Sequence, residues 1–190
     1  MRRLAGLVAA LILAGCAQQG LTLIPESDLP DDVYGSPPPA PEPEKIPANG
    51  TIYLVGRRHL EATTVRLQPV LNSAEEALLV ALFQQSPPAT EIPEGTRLNG
   101  VQVSGGIATV DVSGDFERAA PPRSQALRIA QVVYTLTEEA TGIVSVRFEI
   151  DGVPQQAIGG AQLGAIPGPV SRADYEDFAP RSKEKPRGRT

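Results

Sequence analysis

From Thr51 to Ile158, apolar and polar positions follow two periods, one of strands and one of helices. Ile52-Tyr53-Leu54-Val55 is apolar on both strand faces, as in a central strand. Glu61 to Gln68 predicts a weaker second strand. Ser73 opens a helix, with Glu76 placed to complete a capping box and Glu75 at the positive end. That helix runs to about Gln84 and stops before Ser86-Pro87-Pro88. Arg97–Val103 and Ile107–Val112 are β-rich runs joined by Ser104-Gly105-Gly106, which predicts a hairpin. Pro121 and Pro122 suit the first turn of a second helix continuing to Glu139, with Gly142 as its C-cap. On it, Ala126, Ile129, Ala130, Val133 and Thr137 form one stripe, and Arg128, Gln131, Thr135 and Glu139 lie opposite. Val144, Val146, Phe148 and Ile150 then alternate with Ser145, Arg147 and Glu149 in a half-buried strand that ends at Asp151-Gly152.

The order β-β-α-β-β-α-β predicts an α+β two-layer sandwich, a mostly antiparallel sheet with two helices on one face. The first helix carries more apolar surface than such packing needs. Leu78, Leu79, Val80, Leu82 and Phe83 spread over more than half its circumference. That surplus predicts either cover by the linker or the C-terminal tail, or a surface for a partner or for self-association.

The N-terminus carries an address. Arg2 and Arg3 precede an uncharged apolar run, Leu4–Ala14, that is too short for a stable membrane span. It ends in Leu13-Ala14-Gly15-Cys16, which resembles the lipobox of bacterial lipoproteins. The resemblance implies a signal peptide over residues 1–15 and a diacylglyceryl group on the Cys16 thiol. Two acyl chains supply the double anchor that one chain lacks. The expected location is therefore the extracytoplasmic face of a cell membrane. Residues 16–50 form a tether, since Ala17–Gly50 holds eight prolines and six carboxylates against the single Lys45. In polyproline-like geometry, thirty residues at about 3.1 Å each reach roughly 90 Å. Residues 159–190 return to Gly, Pro and charge, and five basic residues against Glu184 follow Ala179. This predicts a flexible, basic-ended tail.

Composition narrows the chemistry. The net charge of −5 and the pI near 5.0 exclude the basic footprint that nucleic-acid binding needs. One Cys and one His leave too few soft ligands for a structural zinc site, and no metal or cofactor is expected. The chain has no Gly-x-Ser-x-Gly elbow and no phosphate-cradling glycine loop. His59 follows Arg57 and Arg58 between the first two strands, where Glu61 could orient it only if the strand turned. Asp111 and Asp115 have the look of a glycosidase carboxylate pair, yet Ser113-Gly114-Asp115 also reads as turn chemistry. Glu149 and Asp151 read as polar-face and turn residues. No catalytic residue is assigned, and an enzyme is not expected.

Residues 51–158 resemble the GerMN domain of bacterial envelope lipoproteins. The resemblance rests on Ala77-Leu78, on Ile92-Pro93-Glu94-Gly95-Thr96 leading into Leu98, and on Gly106–Ser113 followed by Phe116. Gln131–Thr137 fits the second helix, and Phe148, Ile150, Asp151 and Gly152 close the match. Ser86-Pro87 departs from the family's Gly-Pro corner. The family fold is similar to ring-building motifs of secretion and sporulation assemblies, which implies an interaction role. The expected function is binding to an envelope protein or to peptidoglycan. The alternative is a self-assembling structural subunit, and an enzyme acting on wall glycan comes third.

Overall fold

The computed structural model describes residues 45–69, 71–160 and 164–181. The expected signal peptide, lipobox, lipidated Cys16 and tether up to residue 44 lie outside the described residues. The α+β class holds. The strands are β1 (Asn49–Val55), β2 (Leu60–Arg66), β3 (Leu98–Ser104), β4 (Ile107–Val112), β5 (Ser145–Ile150), β6 (Val153–Gln155), β7 (Ala157–Ile158) and β8 (Ala165–Ile166). The helices are α1 (Ala74–Phe83), between β2 and β3, and α2 (Pro122–Leu136), between β4 and β5.

β3-β4-β5-β6 form one sheet, antiparallel except for the parallel pair β4–β5. A parallel pair needs a crossover, and α2 provides it. Two turns set the hairpin registers. Gly105 and Gly106 both have positive φ (57° and 77°), as do Asp151 and Gly152 (48° and 79°). Such two-residue turns match the twist of the strands they join. Ala108, Val110 and Val112 of β4 and Val146, Phe148 and Ile150 of β5 are buried in the core. Val144, expected in the strand, lies before it and is 67% exposed.

β1 is not a central strand. It pairs only with β2, in a separate antiparallel ribbon. Its outer edge is satisfied by other means. Tyr53 N–H donates to Thr135 Oγ1 (3.1 Å), Gln131 Nε2 donates to the Tyr53 carbonyl (3.1 Å), and Val55 N–H donates to the Ala89 carbonyl (2.8 Å). Side chains of α2 thus do for β1 what a neighbouring strand would do.

The polar side of α2 is consequently buried. Arg128, Gln131 and Thr135 were expected opposite the apolar stripe, yet all three lie in the interior. The ribbon, α1, β5, β7 and residues 172–178 all pack on this helix, so it is enclosed on several sides. α2 stops at Thr137, whose hydroxyl donates back to the Val133 carbonyl at 2.7 Å. Gly142 caps the short 3-10 turn Glu139–Thr141 instead.

α1 begins as its sequence dictates, with Ser73 Oγ accepting from Glu76 N–H at 3.1 Å. The Glu76 carboxylate reaches one residue further back than a capping box requires, to the backbone and side-chain nitrogens of Asn72 (3.0 and 2.8 Å). The apolar surplus of α1 is taken up by β1, β3 and α2. At Gly50 of β1, an added Cβ would come within 2.6 Å of Leu78 Cδ2, so strand and helix meet closely there.

The flexible tail expected from residue 159 gives way to structure over residues 164–181. β7 pairs with β8, Val170 bridges to Val146, and Arg172–Phe178 forms 3-10 turns against α2. Tyr175 and Phe178 are buried as deeply as any core residue. Two aromatics within a charged segment supplied enough apolar area to dock it.

Candidate functional site

Residues Arg57–His59 make the turn between β1 and β2, closed by Gly56 N–H donating to the His59 carbonyl at 2.9 Å. A Cβ at Gly56 would sit 2.4 Å from Glu61 Oε1 and 2.7 Å from the His59 carbonyl oxygen. Glycine there lets the Glu61 carboxylate fold against the turn. The turn faces a cavity of about 750 Å³ whose walls include Arg57, Arg58, His59, Glu61, Pro180 and Arg181. His59 and Glu61 therefore share one cavity, but no hydrogen bond joins them among the described residues.

The ion pairs among the described residues are Arg118–Asp115 and Arg172–Glu138. Arg57, Arg58 and Arg181 have no carboxylate at ion-pair distance among these residues. Three arginines thus line a concavity with a single acid in its wall. Pro180 and Arg181 could not have been assigned to it from sequence, because the C-terminal segment reaches it only through the docking of Tyr175 and Phe178.

The carboxylates singled out by sequence are used within turns. Asp111 Oδ1 accepts from Gly152 N–H (3.0 Å) and from Asn99 Nδ2 (3.3 Å). Asp151 accepts from the same Asn99 amide (3.2 Å) and from Gly114 N–H (3.2 Å). Asp115 pairs instead with Arg118 at 2.9 Å. Asp111 is thus linked with Asp151, while Asp115 has a different partner. Glu149 lies beside Asp111 in the β4–β5 register.

Two polar clusters, one buried and one half-buried, were not anticipated. Arg128 donates to the carbonyls of Glu91 (3.0 Å), Phe116 and Arg118 (3.3 Å), with its guanidinium over the Phe116 ring. Burial pulls its pKa below the usual arginine value. Arg128 also borders a smaller cavity of about 300 Å³, walled by Phe116, Phe148 and Gln155. The second cluster joins Arg172 to Glu138 (2.9 Å), to the Thr137 hydroxyl (2.9 Å) and to the Tyr134 carbonyl (2.9 Å). The Tyr53 hydroxyl donates to the same Glu138 oxygen at 2.6 Å. Burial would raise the Glu138 pKa, but the Tyr53 hydroxyl and Arg172 outweigh it and hold the carboxyl below its ordinary value. Burial and the Glu138 hydrogen bond push the Tyr53 phenol up.

The architecture is that of an α+β domain, and comparison with known proteins gives it a family. The sequence profile of the Germane family, described as sporulation and spore germination, matches residues 51–156, and the chain belongs to that family. The tandem GerMN domains of the Bacillus subtilis sporulation protein GerM superpose with a TM-score of 0.51 at 22% identity, over 66% of this chain and 46% of that chain. This chain therefore spans less than half of that structure. The first GerMN domain of the same protein gives a TM-score of 0.49 at 22% identity, over 66% and 98% of the two chains. A candidate lipoprotein of Clostridium perfringens gives 0.46 at 17% identity, over 69% and 91%. No curated protein sequence matches the chain. The GerMN resemblance read from the sequence is thus shown, and its sporulation vocabulary belongs to the relatives.

Proposed function

We propose that this protein is a lipid-anchored lipoprotein on the extracytoplasmic face of a cell membrane, presenting its GerMN domain to a protein partner or to cell-wall material. The observation that carries the binding role is how charge is used. Asp111, Asp115, Asp151 and Glu138 are engaged in turns and ion pairs, whereas Arg57, Arg58 and Arg181 line one cavity with no carboxylate at ion-pair distance among the described residues. The Leu13-Ala14-Gly15-Cys16 motif supports the anchor. Among the described residues no helix is long and apolar enough to cross a membrane. In the host, Cys16→Ala should abolish labelling by a clickable fatty acid and release the protein from the membrane fraction. Continued labelling would refute the anchor.

A second reading, self-assembly, draws on β3. It is an edge of the four-stranded sheet, and Val103 on it is 48% exposed. Unpaired edges are templates for further strands. A mass that rises with concentration would favour this reading, and a monomer at high concentration would remove it.

A further inference from the structure

We infer that the cavity at the β1–β2 turn is a binding site for the phosphate groups of a polyanionic chain, of the phosphodiester-linked polyol kind found outside cells. The inference rests on the binding reading above and specifies its ligand.

Shape comes first. A concavity of about 750 Å³ lies within the range of roughly 300–1,000 Å³ typical of ligand sites, and it admits one or two units of a chain. Charge comes second. Arg57, Arg58 and Arg181 line it, His59 adds an imidazole, and Glu61 is the single carboxylate in the wall. Like charges held together cost energy, and an incoming anion relieves that cost. The rest of the chain sharpens the contrast, since the whole sequence carries −5. A local basic cavity on an acidic protein selects for anionic groups that enter it and repels a broad anionic surface.

Chemistry comes third. Planar guanidinium forks suit phosphate oxygens bidentately, and all three cations are arginine rather than lysine. Gly56 contributes by allowing Glu61 to fold against the turn. The site joins two distant parts of the chain, the first hairpin and the segment after Phe178, so it exists only in the folded protein.

A concave site and an acidic protein favour a chain entering the cavity over a bilayer lying against it. The test keeps the two sources of phosphate apart. The full chain, held in uncharged phosphatidylcholine nanodiscs, is titrated with fluorescently labelled poly(glycerol phosphate) and, separately, with phosphatidylglycerol vesicles. The expected result is saturable binding of the polymer that weakens with added salt. The R57A/R58A/R181A variant should lose at least about tenfold in affinity, and Glu61→Gln should gain a few fold. These side chains are on the surface, and an unchanged melting temperature of each variant keeps the comparison interpretable. Equal polymer binding by wild type and the triple variant would overturn the inference. So would an absence of binding, or arginine-dependent capture of vesicles with none of the polymer. Each of those outcomes leaves the lipid anchor standing, because the Cys16→Ala labelling tests it separately.

Discussion

The Arg172 guanidinium donates to the Glu138 carboxylate at 2.9 Å and lies over the rings of Tyr53 and Tyr134, 5.3 and 4.9 Å from their centroids. One side chain, from beyond the family-matched region, thereby ties the first strand, the end of α2 and the C-terminal segment together. The segment 164–181 is part of the fold, and its loss has a measurable cost.

Phe178→Ala should destabilise the protein by about 3–5 kcal/mol, as for other buried aromatics, because Phe178 is only 1% exposed. Urea denaturation of the full chain measures it. A change below about 0.5 kcal/mol would mean that the segment does not dock in solution.

Glu138 carries a signed pH prediction. Its carboxyl titrates below the ordinary value of 4.5 in the folded state, so its stabilisation is present above that pH and is lost as pH falls through the folded value. The melting-temperature gap between wild type and Glu138→Gln should therefore be widest at neutral pH and close on acidification below about 4.5. A gap that widens in acid contradicts the assigned hydrogen bonds.

Gln131 is fully buried and engaged at both ends of its amide. Its oxygen accepts from Thr90 Oγ1 (3.1 Å) and Glu91 N–H (2.9 Å), and its nitrogen donates to the Tyr53 carbonyl. Gln131→Leu keeps the volume but orphans these groups, and should cost about 2–3 kcal/mol. Amide hydrogen exchange should show the loss first at Glu91, whose donor becomes unpaired.

At the hairpin tip, Gly56→Ala should disturb the turn, because the new Cβ meets both Glu61 Oε1 and the His59 carbonyl oxygen. Glu61→Ala in the same chain should relieve the first clash and leave the second. Backbone chemical shifts of Arg57 to Glu61 should therefore recover in part. Full recovery would mean that the His59 carbonyl does not constrain Gly56.

Much of the domain was legible locally. The Ser73 cap, the Gly105-Gly106 turn and the alternation of Val146, Phe148 and Ile150 each depend on residues a few positions apart, so a one-dimensional pattern reveals them. Arg128, Gln131 and Thr135 misled for the same reason. Periodicity separates polar from apolar faces, but it does not see that β1 needs polar partners along its open edge. The cavity was half legible: Arg57, Arg58 and His59 stood out as a basic turn, whereas Arg181 joined them through tertiary contacts alone.

The sequence by itself determined the order of the first seven strands and helices, the Ser73 cap, the tight turns and the membership of residues 51–158 in a GerMN-like class. Those follow from backbone propensity and short-range spacing. Tertiary structure decided how the strands divide into sheets, which polar residues are interior and where the C-terminal segment docks. The reason is physical. A buried Gln or Arg is tolerable only where a partner far along the chain meets its hydrogen bonds, and that partner is chosen by packing.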